Sequence, residues 1–163
     1  RDRRATPRGE VGEIWLRADS VMTEYWNKPD QTESSLVDGW YRSGDAARLD
    51  ENGYVFMADR VKDMIVTGGE NVYSLEVENA LSDHPAVAQV AVVGLPDPTW
   101  GERVHAVVVC EPGSVTADEL EAQARERIAG FKVPKSWTFQ PDPLPLSAAG
   151  KVLKRDLRAR LSD

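Results

Sequence analysis

The 163-residue chain carries 27 acidic and 20 basic residues, a formal charge of -7 at pH 7. That balance argues against a nucleic-acid binder, whose hold on phosphate backbones rests on clustered Lys and Arg, and leaves room for a small anionic ligand held by a few local cations. Hydrophobic residues at 41% and charged residues at 29% are globular values, and the length suits one ordinary domain or two small ones with a sizeable core.

In chain order, "GEIWLR" predicts a short strand with Ile14 and Leu16 in apolar alternation. "KPDQTESSLVDG" predicts a short helix opened by Asp30 and stopped near Gly39. "GWYRSGDAARLDENGYVFMADR" predicts a hairpin turning at residues 50–53, where Asn52-Gly53 is the strongest local hairpin signal. Between Arg60 and Asp63 the pattern changes to alternating strands and helices. No Pro or Gly stands there, so this predicted boundary is a tight hinge and not a flexible tether.

Beyond it, "DMIVTGG" predicts a strand, followed by a helix over 75–82 that Ser74 can cap. The apolar runs "VAQVAVVGL" and "RVHAVVVC" predict two buried strands. A helix over 117–129 follows, opened by a Thr116/Glu119 capping box, striped by Leu120, Ala124 and Ile128, and closed by Gly130. A strand over 137–139, the loop "PDPLPLSAAG" and a helix with Leu153, Leu157 and Leu161 on one face complete the chain. The predicted class is α+β: a small β-rich subdomain, then a compact domain with a short mixed sheet flanked by helices.

Cys110 has no second cysteine to pair with and reads as a core residue of a reducing compartment. His84 and His105 lie near no second ligand type at metal spacing, so no metal site is expected. No apolar run approaches the roughly 18 residues a membrane span needs, and "RDRRATPRGE" lacks the apolar core of a secretion signal. The chain reads as soluble and cytoplasmic.

Two residues raise a chemical question. Asp45, just after Gly44, could accept both hydroxyls of a diol, or could bond its own turn backbone. Lys151, just after Gly150, could be a cation presented on a loop, or plain solvated surface.

Three stretches decide how these are read: "GWYRSGDAARLDENGYVFMADRVKDMIVTGGENVYSLEVE", "VVGLPDPTWGERVHAVVV", and "GFKVPK" leading to "LPLSAAGKVLKRDL". In that order and spacing they resemble the C-terminal third of the acyl-adenylate-forming, AMP-binding enzymes, specifically the acyl-CoA synthetases of the fatty-acid-CoA ligase kind. The resemblance spans essentially the whole sequence. It implies that a carboxylic acid, expected to be a fatty acid, is activated by ATP with Mg and passed to CoA. It places Asp45 and Arg60 on the nucleotide ribose and adjoining phosphate, Lys62 at the hinge, and Lys151 as the catalytic lysine. Gly68 and Gly69 would border the pantetheine tunnel, and Trp100 and Phe131 would pack on CoA.

By the same resemblance, residues 1–60 end a large N-terminal AMP-binding domain and residues 61–163 form a mobile C-terminal domain. The phosphate loop, the Mg ligands and the acyl pocket would lie upstream, so the chain is expected to be a piece of a longer ligase and silent alone. Ser74 stands where relatives usually have Pro, and Val133 where some have Arg toward the nucleotide. Lys154, Arg155, Arg158 and Arg160 read as a solvated helix face. Two alternatives stand beside the CoA ligase: an adenylation domain that loads a carrier protein, and a non-catalytic docking or regulatory module of the same fold.

Overall fold

A computed structural model describes residues 5–162. The chain divides after Lys62 into two compact units, the first built on an antiparallel sheet and the second on a mixed one. The class is α+β.

The first unit holds β1 (Val11–Leu16), α1 (Pro29–Ser35), β2 (Leu36–Val37), β3 (Trp40–Leu49) and β4 (Val55–Arg60). β3 is the long central strand, with β1, β2 and β4 all antiparallel to it. The β3–β4 turn falls at residues 50–53 as expected: the Asp50 carboxylate accepts the Asn52 and Tyr54 amides, and Gly53 takes φ +87°. The helix expected to open at Asp30 opens instead at Pro29, which occupies its first turn and needs no amide partner there. It also ends early. Asp38 and Gly39, with φ of +50° and +76°, form a two-residue turn that pairs Val37 with Trp40, so "DG" is a hairpin signal here and not a helix stop.

Among the described residues of this unit, Ala46 and Ala47 are the buried hydrophobics, while Trp26, Tyr54, Val55 and Met57 are more than half exposed. Guanidinium groups cover some of the aromatic surface: Arg17 lies 4.6 Å from the Trp40 ring centre and Arg48 4.5 Å from that of Phe56.

The second unit holds β5 (Ile65–Thr67), β6 (Glu70–Val72), α2 (Ser74–Ser82), β7 (Gln89–Asp97), β8 (Gly101–Val109), α3 (Ala117–Arg125), a 3-10 turn (Gly130–Lys132), β9 (Ser136–Gln140) and α4 (Lys154–Leu161). Its sheet runs β6-β5-β8-β7, with β9 parallel to β8. The long β7–β8 hairpin is buried on both faces, which is why its sequence reads as near-continuous apolar runs. Val92, Val104, Ala106 and Val108 pack with Val77 and Leu81 of α2 and Leu120 and Ala124 of α3. Their alternate neighbours Ala91, Val93, Leu95, Val107 and Val109 pack with Leu144 and with Leu157 of α4. Period-two alternation thus builds two cores from one hairpin.

The capping box that opens α3 is present. Thr116 Oγ1 accepts the Glu119 amide while the Glu119 carboxylate accepts the Thr116 amide and hydroxyl, and these two Thr116 donors hold the Glu119 carboxyl below the usual carboxylate range. Unlike the expected helix over 117–129, α3 stops at Arg125. The Arg127 and Ile128 amides both turn back onto the Ala124 carbonyl, Ala129 is extended, and Gly130 opens the 3-10 turn instead of closing α3. Ile128 still reaches the core from that turn.

His105 is 5% exposed, with Nδ1 2.7 Å from Ser136 Oγ and Nε2 3.1 Å from Thr138 Oγ1. Hydroxyls can accept from either form of the ring, so these contacts do not oppose protonation. Burial does, and the nearby Arg103 adds to it, holding the imidazole below its ordinary value. The unfolded chain therefore takes up this proton first, and folding stability is expected to fall as pH drops below about 6.5. Denaturant midpoints at pH 8 and 5.5 should separate for the native protein and converge in His105→Gln; an equal acid sensitivity in both would exclude His105 as its source.

Among the described residues, no helix is long and apolar enough to cross a membrane, and no group of three His, Cys, Asp or Glu side chains could hold a metal ion.

Candidate functional site

β3 and β4 bring Asp45 and Arg60 opposite one another. Arg60 Nε lies 3.6 Å from Asp45 Oδ1, and both side chains are more than one-third exposed. The neighbouring Asp59 carboxylate accepts the Arg60 backbone amide, 2.7 Å away. The loose Asp45–Arg60 contact leaves carboxylate and guanidinium able to meet a diol and an anionic oxygen together.

The approach to Asp45 is tightly made. Ser43 Oγ donates to the Ile14 carbonyl at 2.8 Å and accepts the Asp45 amide at 3.1 Å. Gly44 takes φ +74°, and its carbonyl accepts the Val61 amide at 2.9 Å. This part of the first unit is an open cleft of about 390 Å³ that Lys62 also lines. Glu13 and Arg42 were missed by sequence reasoning. They form its far wall: the Glu13 carboxylate accepts from Arg42 at 3.0 Å and from the Trp15 indole at 3.0 Å. Only the β1–β3 register brings residues 13 and 42 together, and no local pattern announces it.

In the second unit, Gly68 and Gly69 form the β5–β6 turn with φ of +59° and +86°. The Gly68 amide donates to the Trp100 carbonyl at 2.9 Å, and a Cβ on Gly68 would stand 2.8 Å from the Trp100 ring. The Asp97 carboxylate accepts the Thr99 and Trp100 amides and fixes the turn that carries the indole. Glycine pair and indole therefore form one corner, with the tryptophan 57% exposed. Phe131 is carried separately on the 3-10 turn, exposed, beside Lys132, which bonds both carboxylate oxygens of Glu76 at 2.7 Å.

Lys151 follows a narrow hairpin. Leu146 and Val152 bridge, the Ser147 amide donates to the Lys151 carbonyl, the Gly150 amide donates to the Ser147 carbonyl, and Gly150 takes φ +74°. Glycine is needed where the turn passes through the left-handed region, and the next residue is the first that can carry a long side chain back out. Lys151 is exposed, and among the described residues its ammonium makes no hydrogen bond or ion pair.

The helix after it corrects the expected solvated face. Lys154 is 14% exposed, with Nζ 2.7 Å from Glu78 Oε1 and bonded to the Ser74 hydroxyl. Arg158 is partly buried too, whereas Arg155 is 97% exposed. Ser74 is not a cap: it is the first residue of α2, fully buried, with Tyr73 at the cap position.

Residues 76–151 match the family model described as the AMP-binding enzyme C-terminal domain. The second unit is an AMP-binding enzyme C-terminal domain. Among similar proteins, feruloyl-CoA synthase of Amycolatopsis sp. is 51% identical over 155 residues, which cover 94% of this chain and 31% of that protein. The fatty acid–[acyl-carrier-protein] ligase ScoC of Streptomyces coeruleorubidus is 48% identical over 158 residues, 96% of this chain and 30% of that protein. The solved o-succinylbenzoate CoA synthetase of Bacillus subtilis, in complex with its acyl-adenylate intermediate, superposes with TM-score 0.89 at 38% identity, covering 97% of this chain and 32% of that one. The chain thus spans about a third of the length of the relatives it matches.

Proposed function

We propose that the chain is the C-terminal part of an ATP-dependent acid–CoA ligase, of the fatty acyl-CoA synthetase kind, that makes an acyl-adenylate and then a thioester. The observation that carries this reading is a cation held out on a narrow hairpin with no partner among the described residues, in a unit separate from the Asp45–Arg60 cleft. The relatives whose names describe CoA synthetases support it. So does the first unit, whose exposed aromatic and aliphatic surface is that of an incomplete core.

In the first half-reaction, a carboxylate oxygen of the acid attacks the α-phosphorus of ATP, and the bond to pyrophosphate breaks. Lys151 balances the charge that develops on carboxylate and phosphate, while Asp45 accepts from the ribose hydroxyls and Arg60 meets anionic oxygen. The Mg that accompanies ATP would be held by residues outside this chain. In the second half-reaction the C-terminal domain turns at Lys62, Lys151 withdraws, and the Gly68–Gly69 corner approaches. CoA sulfur then attacks the acyl carbon, the thiol proton is lost, and AMP leaves with the electron pair of the cleaved C–O bond. A glycine pair suits that role because a pantetheine arm can run close along bare backbone, with Trp100 and Phe131 offering flat surfaces to the rest of CoA. A buried, unpaired Cys110 fits a reducing cytoplasm.

A second reading, in which the acceptor thiol belongs to a carrier protein, is favoured by the likeness to ScoC. Supplying CoA or a carrier protein that bears a free pantetheine thiol to the full-length protein separates the two.

Lys62→Pro tests the alternation. Proline fixes φ near -65°, so a hinge that must rotate there is locked. Acyl-AMP formation should persist while transfer to CoA falls; equal loss of both steps in a folded protein would exclude a pivot at Lys62.

A further inference from the structure

The sequence "GKVLK" places two lysines three residues apart, and the fold treats them in opposite ways. Lys151 is exposed, whereas Lys154 is held among acceptors on α2: Glu78 Oε1 at 2.7 Å and the hydroxyl of Ser74. Ser74 is fully buried and the Glu78 side chain is 16% exposed. Glu78 Oε1 also accepts the Val92 amide at 2.8 Å, so one carboxylate joins α2, β7 and the first residue of α4. Only Val152 and Leu153 separate the two lysines. Val152 bridges Leu146, and the Leu153 amide donates to the Pro145 carbonyl at 2.8 Å.

We propose that Lys154 and Glu78 are a positioning pair that fixes the root of the Lys151 hairpin, so that the free ammonium is presented from a rigid base. A shielded ion pair anchored to a backbone amide is a directional tie, and a cation that must meet a developing charge loses effect steeply when its support shifts. While it is so engaged, the Lys154 ammonium is not itself the group offered to ligand. This inference rests on Lys151 acting in adenylation, as argued above.

The test uses the full-length protein. Lys154→Met removes the cation that balances the Glu78 carboxylate in a shielded site, so the double variant Lys154→Met/Glu78→Leu, which removes both charges, is prepared beside it and beside Lys154→Arg. Acyl-AMP formation and transfer from preformed acyl-AMP to CoA are measured separately, with the thermal midpoint recorded for each protein. Adenylation should fall about tenfold to a hundredfold in the double variant, in line with displacement of a group by an ångström. Transfer should stay near the native rate, and Lys154→Arg should recover most of the lost activity. Parallel loss of both half-reactions in the folded double variant would mean a structural role only, and unchanged adenylation would mean no role; either overturns the proposal. Lys151→Ala, run alongside, separates the two levels. If it abolishes adenylation and the Lys154 variants do not, only the positioning pair is wrong; if it leaves adenylation intact, the assignment of Lys151 fails first.

Discussion

Replacing Lys151 by Ala in the full-length protein is expected to slow acyl-adenylate formation by about a hundredfold to a thousandfold, the usual loss when one preorganised group is withdrawn from a developing charge. The expectation follows from where the ammonium stands. It is exposed, unpaired among the described residues, and carried just after a left-handed glycine in a hairpin closed by its own backbone bonds. No interaction within the domain must be broken to deliver it, so its free energy is available to the substrate. For the same reason folding should be nearly unaffected, within about 0.5 kcal/mol, as for other exposed side chains. Lys151→Arg should restore little, because a planar fork cannot take the place of a compact point charge in a narrow site. Pyrophosphate exchange with ATP reports this step alone.

Leu81→Ala is expected to be the most damaging simple truncation in α2. Leu81 is fully buried between the helix and the β7–β8 hairpin, in the cluster that also holds Val77, Val92 and Leu120. Removing it loses transfer free energy and leaves a cavity among strands that cannot collapse, costing about 2–5 kcal/mol. In a unit of this size that is a fall in melting temperature of roughly 10 °C or more. Leu75, on the same helix but 36% exposed, provides the comparison. Thermal denaturation of Leu75→Ala should show a much smaller shift; equal losses would mean that α2 does not pack as described.

Much of the fold was legible because local signals and burial agree. Asn52-Gly53 marks its hairpin, Thr116 and Glu119 mark a helix start, and unbroken apolar runs mark strands buried on both faces. Where reading failed, a tertiary partner had outvoted a local pattern. The apolar stripe on α3 continues to Ile128 although the helix stops at Arg125, because a turn brings Ile128 to the same core. Lys154 looks like surface in a run of basic residues, and only the tertiary contact of this first residue of α4 with α2 gives it Glu78 and Ser74. The cleft divides likewise. Asp45, Arg60 and Lys62 were named from a motif, and Asp45 and Arg60 do face each other across two strands. Glu13 and Arg42 depend on a register with a bulge in β3, where Ser43, Gly44 and Asp45 lie opposite Ile14 alone, and nothing in "GEIWLR" specifies it. The Gly68–Trp100 corner was half legible: each residue was singled out, but their contact comes from the pairing of Thr67 with Gly101.

The most direct measurement is the pair of half-reactions in full-length Lys151→Ala, one started from acid and ATP, the other from purified acyl-adenylate and CoA. Loss of the first with the second close to the native rate is the expected result. Undiminished adenylation with a collapse of thioester formation would contradict the role given to Lys151.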